Sequence, residues 1–236
     1  MYYFSITGSQ GKAVVGSMGG HMTLMGEMKV KNPIAILVDD DVAVCESLGN
    51  LLNSVGIDAV TYSSGHAFLS EPLPDRPACL ILDVRMPGLS GLDLQTHLAR
   101  NGVSTPIVFL TAHGDIAMSV QAMKAGAQDF LTKPVREQTF LDAVSKAIAI
   151  DISQRELANT FNKYVALFET LSSREREVLR MVVAGELNKQ ISHALKIQEV
   201  TVKLHRSNGM KKMQVTSFAQ LFSAWQSLPS ELRGQL

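Results

Sequence analysis

The sequence predicts two domains of different class: an α/β domain built on a five-stranded parallel sheet covered by helices on both faces, then an all-α domain of four helices. Three observations predict this. Short, wholly apolar runs alternate with amphipathic helical stretches between residues 33 and 150, the pattern of strands buried on both faces. From residue 135 to 171 the chain then lacks both proline and glycine, so it reads as one long helix joining the domains. Charge also divides between the halves. Residues 30–145 hold seven Lys/Arg against thirteen Asp/Glu, a net of −6, while residues 171–236 hold ten against five, a net of +5. A basic second half favours a polyanion, nucleic acid first.

The elements follow in order. Residues 1–29 carry six glycines and no helical or strand period; they read as a disordered extension or expression remnant outside the fold. Residues 34–38 are a continuous apolar strand ending in Asp39-Asp40-Asp41. Val44, Leu48, Leu51, Leu52 and Val55 recur at helical spacing up to Gly56. A strand at 57–62 precedes a short helix near 65–69 and a loop marked by Pro72, Pro74 and Pro77. Strands at 79–82, 107–110 and 128–131 end near Asp83, Thr111 and Lys133, with helices at 92–100 and 116–125 between them. Boundaries are placed at 30–145 for the α/β domain, 146–168 for a helical linker and 169–236 for the all-α domain, with helices at 173–184, 189–195, 199–213 and 217–226.

Composition narrows the class. The chain has 236 residues, with 46% hydrophobic and 19% charged, ordinary for a globular protein. No apolar run reaches the ~18 residues of a membrane span, and the start lacks the pattern of a signal peptide. A cytoplasmic protein without membrane contact is expected. Cys45 and Cys79 are too few for a disulfide framework, and Cys79, inside an apolar run, reads as a buried thiol.

Ligands of an open parallel sheet bind beyond the carboxyl ends of its strands. Those ends carry Asp39 and Asp40, Asp83, Thr111 and Lys133. Three carboxylates repel one another and call for a cation; all-oxygen ligation suits Mg²⁺. A metal, a carboxylate, a hydroxyl and an ammonium together equip a site for phosphoryl transfer, with Asp83 as nucleophile and Thr111 and Lys133 on the moving group. Singly, each has a plainer use: an aspartate or Thr111 caps a helix, and Lys133 is a surface lysine. The set at successive strand ends carries the argument.

Residues 33–150 resemble the receiver domain of two-component response regulators, a flavodoxin-like (CheY-like) doubly wound fold. The matching text is Val38-Asp39-Asp40-Asp41, the run from Leu82 to Gly91, Thr111-Ala112-His113-Gly114-Asp115, and Lys133-Pro134. The resemblance implies that Asp83 accepts a phosphoryl group from a sensor histidine kinase. It implies Mg²⁺ held by Asp40, Asp83 and the backbone carbonyl of Arg85, with Asp39 supporting through water. It also implies a cis Lys133–Pro134 bond, and Thr111 and Phe130 as a switch pair whose movement remodels a face that forms a homodimer.

In the second half, Ser172 and Glu175 form a capping box that opens a helix. A short helix capped by Asn188, a turn and a longer basic helix then make a helix-turn-helix, whose second helix belongs in the major groove of double-stranded promoter DNA. Leu171–179, Asn188–Ile191 and Val200–Arg206 resemble the LuxR-type output domain, and the pair of domains resembles the NarL/FixJ class. That resemblance turns Lys203 and Leu204 toward base edges, and Thr201, His205, Arg206 and Lys189 toward phosphates; it admits RNA polymerase as a further partner. Such a chain is a transcription regulator, its only catalysis being its part in its own phosphorylation and dephosphorylation. Three positions depart from the family: Lys196 where a turn glycine is usual, Gln198 where a capping serine is usual, and Gly209 within the recognition helix. Two other readings compete. One is a Mg²⁺-dependent phosphohydrolase using Asp39 and Asp41; the other is a phosphorylated module whose decayed output domain binds protein.

Overall fold

The computed structural model describes residues 32–112 and 116–234. The expected disordered extension at 1–29, and His113, Gly114 and Asp115 of the quoted motif, lie outside the described residues.

Five parallel strands, β1 (Ile34–Val38), β2 (Asp58–Tyr62), β3 (Ala78–Asp83), β4 (Ile107–Thr111) and β5 (Asp129–Thr132), stand in the order β2-β1-β3-β4-β5. Five helices accompany them: α1 (Val42–Ser54), α2 (Gly65–Leu69), α3 (Gly91–Arg100), α4 (Ile116–Lys124) and α5 (Glu137–Glu169). Side chains alternate across the sheet, so each strand feeds two cores. Ile36, Leu80, Leu82 and Phe109 pack with Phe68, Leu94, Leu98 and Ala122 of α2, α3 and α4. Leu37, Ile81, Val108 and Leu110 pack with Leu52 of α1 and Phe140, Val144 and Ile148 of α5. Every residue of β1, β3 and β4 is buried, as the continuous apolar runs require. Helix starts are set by side chains: Asp41 Oδ1 accepts from the Ala43 and Val44 amides at 3.0 and 3.2 Å, and Ser64 and Ser90 cap α2 and α3.

α5 is a single helix of 33 residues. Its first part packs on the sheet as far as Ile152, and its last turns, from Tyr164 to Phe168, join the core of the helices that follow. Asp151, buried on the sheet side, accepts from the Ala78 amide at 2.8 Å and from Arg155 Nε at 2.6 Å.

Those helices are α6 (Ser173–Val183), α7 (Asn188–Leu195), α8 (Glu199–Lys212), α9 (Phe218–Gln226) and the short α10 (Ser230–Arg233), which the sequence pattern did not reveal. Leu179, Val182, Ile191, Val202, Leu221 and Trp225 form their core. The capping box is present: Ser172 Oγ accepts from the Glu175 amide, and the Glu175 carboxylate from that of Ser172. The expected cap at Asn188 is not. Leu187 holds the cap position, Gln190 Oε1 accepts its amide at 2.7 Å, and Asn188 Oδ1 instead accepts from Arg206 Nη1 at 3.3 Å. Among the described residues no helix is long and apolar enough to cross a membrane.

Candidate functional site

The strand order reverses between β1 and β3, and a crevice opens there beyond their carboxyl ends. Asp39 and Asp40 follow β1 directly and Asp83 ends β3; ligand oxygens of the three lie within 4.8 Å of one another. This anionic, all-oxygen donor set fits a hard divalent cation such as Mg²⁺. Asp39 and Asp83 are buried and Asp40 is exposed, so the cluster opens to solvent on one side.

Lys133 enters from the end of β5, its amide donating to the Thr111 carbonyl at 2.7 Å, and the Lys133–Pro134 bond is cis. Its ammonium donates to Asp39 Oδ2 at 2.5 Å and stands 3.6 Å from Asp83 Oδ1. Burial disfavours the ionised form of Asp83, with Asp39 and Asp40 adding repulsion; together these hold its carboxyl above the usual range despite Lys133. Burial alone would lower Lys133, but its bond to Asp39 and the charge of Asp83 hold it above its ordinary value. Burial and the nearby Asp39 push the Cys45 thiol up to about 11, so beside this pocket it is an unreactive neighbour.

Thr111 is buried at the end of β4. Phe130, half-buried on β5, meets Phe109 with ring centroids 6.1 Å apart. Arg85 is exposed in the loop after β3. Sequence reasoning missed Gly91: a Cβ there would lie 2.2 Å from the Asp83 carbonyl oxygen. The first turn of α3 therefore presses on the backbone of Asp83, and its amide bonds the Val84 carbonyl at 3.1 Å. The quoted motif contains this glycine, but only the contact reveals its task.

The phosphohydrolase reading needs Asp41 in the pocket. Its carboxylate is instead spent on the amides that start α1.

On α8 the exposed positions recur as one face: Glu199 and Val200, Lys203 and Leu204, Ser207 and Asn208, then Lys211 and Lys212. Leu204 is 58% exposed and Val200 66%. Lys203 pairs with Glu199 at 3.2 Å. Thr201, His205 and Arg206 are half-buried on the flank of this face, and Lys189 is exposed on α7. Lys196 adopts the left-handed conformation, φ 52° and ψ 42°, and Gln198 makes no side-chain capping bond. Gly209 is buried where α8 crosses α6, and a Cβ on it would lie 2.9 Å from Leu179 Cδ1. Any larger residue there would have to push the buried Leu179 side chain aside.

Residues 35–145 match the response regulator receiver domain family, and residues 169–224 match the LuxR family of bacterial regulatory proteins. The chain is 48% identical over 195 residues to nodulation protein W of Bradyrhizobium diazoefficiens, covering 83% of this chain and 86% of that protein. It is 45% identical over 206 residues to the response regulator protein TmoT of Ectopseudomonas mendocina, covering 87% and 94%. Among solved structures, the response regulator StyR superposes with a TM-score of 0.77 at 44% identity, covering 83% of this chain and 99% of that one. These likenesses span both domains and favour neither the phosphohydrolase nor a decayed output. The chain therefore belongs to the two-component response regulators of the NarL/FixJ class, with a receiver domain and a LuxR-type DNA-binding domain.

Proposed function

We propose that Asp83 is the phosphoacceptor and that its phosphorylation controls promoter binding by α8. The observation that carries this is the convergence of Asp39, Asp40, Asp83 and Lys133 on one open-sided cluster at the sheet's switch point. An Asp83 carboxylate oxygen attacks phosphorus; the O–P bond forms as the N–P bond to the kinase histidine breaks, and the histidine nitrogen leaves with the electron pair. Asp39, Asp40, Asp83 and the Arg85 carbonyl would hold Mg²⁺, which supplies neutralisation of phosphoryl oxygens when bound. Lys133, already close to Asp83, takes one phosphoryl oxygen as its partner, and the Thr111 hydroxyl donates to another.

The added charge of about −2 draws Thr111 inward, and Phe130 follows into the space. The remodelled face, formed by α4, β5 and α5, then pairs with a second copy. Two output domains placed together match the two half-sites of a symmetric operator. Lys203 and Leu204 meet base edges, while Thr201, His205, Arg206 and Lys189 hold the backbone; RNA polymerase is a further partner. The working boundaries remain 30–145 for the receiver, 146–168 for the linker and 169–236 for the output domain, with 1–29 as an extension.

The test is phosphorylation by acetyl phosphate, followed by intact mass and by binding to promoter DNA at two salt concentrations. The wild type should gain one phosphoryl group only with Mg²⁺ and bind DNA more tightly, with affinity falling steeply with salt. Asp83→Ala should do neither. Phosphorylation of that variant, or binding indifferent to phosphorylation, would sink the reading. Lys203→Ala should weaken discrimination between operator and random DNA more than it changes the salt slope.

A further inference from the structure

A second cavity, of about 360 Å³, lies within the output domain, away from the face of α8 just described. Phe168 at the end of α5, Trp225 of α9 and Leu232 of α10 give it apolar walls, and Arg176, Arg180 and Arg233 bring three guanidinium groups to it. Its volume falls in the range of small-molecule sites, and charged side chains, five of the nine lining residues, outnumber the apolar ones.

Its polar groups are incompletely satisfied. Trp225 is fully buried, yet among the described residues its indole N–H has no acceptor; the same holds for the buried Nε–H of Arg176. Buried donors are paired in folded proteins, and two orphans on residues lining one cavity are an exception that needs a reason. The Arg176 guanidinium is fixed in place, stacked 4.9 Å from the Phe168 ring centroid and donating through Nη2 to the Glu169 carbonyl at 3.1 Å. Arg233 is held by Gln226 at 2.8 Å. Arg180 reaches beside Gly234, its Nη1 3.4 Å from where a Cβ there would stand, and makes no ion pair among the described residues. Two carboxylates also line the cavity. Glu177 is paired with Arg174 at 2.7 Å, and Glu231 accepts from the Ser230 hydroxyl at 3.2 Å and keeps its charge, so the lining, three arginines against two carboxylates, is net positive.

Donors without acceptors and an excess of guanidinium groups over carboxylates both favour an oxyanion. Guanidinium presents a planar fork that fits carboxylate and phosphate alike. We propose that this cavity binds a small molecule carrying a carboxylate or phosphate group on an apolar body, the anion meeting the arginines and the body lying against Phe168 and Trp225. The site sits where α5 joins the output domain, so its occupant would bear on that junction independently of phosphorylation.

Trp225 is the chain's only tryptophan, so its fluorescence reports the cavity directly. The full chain is titrated with benzoate, phenyl phosphate and inorganic phosphate, with sodium chloride as the ionic-strength control. The expected result is a saturable change with a Kd at or below about 1 mM for benzoate or phenyl phosphate. Which of the two binds more tightly separates carboxylate from phosphate, and inorganic phosphate reports what the anion achieves without the apolar body. Arg180→Ala, an exposed position whose loss leaves the core intact, should weaken binding at least tenfold while circular dichroism is unchanged. The idea is overturned by a change that is linear in every salt, by equal binding in the variant, or by no response. It is also overturned if deleting residues 235–236 alone reproduces the full change, because the chain's own end would then fill the cavity.

Discussion

Leu179 of α6 and Gly209 of α8 approach so closely that a methyl group on Gly209 would lie 2.9 Å from Leu179 Cδ1 and 3.1 Å from its Cγ. Helix propensity alone favours alanine over glycine by about 1 kcal/mol. Overpacking a buried crossing costs about 1–3 kcal/mol. Gly209→Ala should therefore destabilise the output domain by about 1 kcal/mol, and adding Leu179→Ala should make the glycine substitution harmless. Urea denaturation followed through Trp225 reads this domain specifically; a more stable Gly209→Ala would refute the packing account.

Lys196 and Gln198 act in the opposite sense. A non-glycine residue at φ 52° carries a steric penalty, and a cap without a side-chain bond leaves an orphan amide. Lys196→Gly should gain about 1 kcal/mol and Gln198→Ser about 1 kcal/mol, read by the same denaturation curve. Both sit in the turn before α8, so a crystal structure of the pair should leave the helix unmoved.

The burial that raises the Asp83 carboxyl has a thermodynamic side. A carboxyl whose folded value lies above its unfolded one gives stability that is complete below the unfolded value and lost as pH rises through the folded value. At neutral pH the ionised Asp83 is thus a burden. Without divalent cations, Asp83→Asn should stabilise the receiver at neutral pH. Mg²⁺ should raise the melting temperature of the wild type more than that of the variant. Calorimetry with and without chelator checks both, and an equal Mg²⁺ response would remove Asp83 from the metal site.

Glu175 presents the reverse case. Burial would raise its carboxyl, but Lys212 at 2.7 Å and the Ser172 amide and hydroxyl together hold it below the usual range. The stabilisation is present above the unfolded value and lost as pH falls through the lowered folded value. Glu175→Gln should cost about 1–2 kcal/mol at neutral pH and flatten the acid limb of the output domain's stability curve. Circular dichroism melts from neutral to acid pH would measure this, and an unchanged acid limb would assign the acid sensitivity elsewhere.

Much of the architecture was legible because it rests on local period and strand-end chemistry. The wholly apolar runs at 34–38 and 107–110 could be buried only on both faces, and Asp39, Asp83 and Lys133 then had to meet. What escaped was set by contact at a distance. Gly91 and Gly209 are ordinary glycines in sequence; their tasks exist only because Asp83 and Leu179 come from elsewhere in the chain. Asn188 looked like a cap because its residue type suits one, yet Gln190 supplies the bond and Asn188 turns to Arg206. α10, four residues long, has no period to read. The orphan donors of Trp225 and Arg176 likewise depend on the packing of four separate helices.

The unbroken α5 turns the link between the domains into an angular device. An α-helix advances about 1.5 Å and rotates about 100° with each residue, and residues 153–163 lie between the stretches packed at either end. One residue inserted there would swing everything beyond it by about 100° while adding almost no length. Seven would bring it back to within about 20° of its first bearing, one full heptad farther along. Linker length in such a protein is a setting of phase, and regulators sharing this rod should tolerate insertions by the heptad sooner than by the residue.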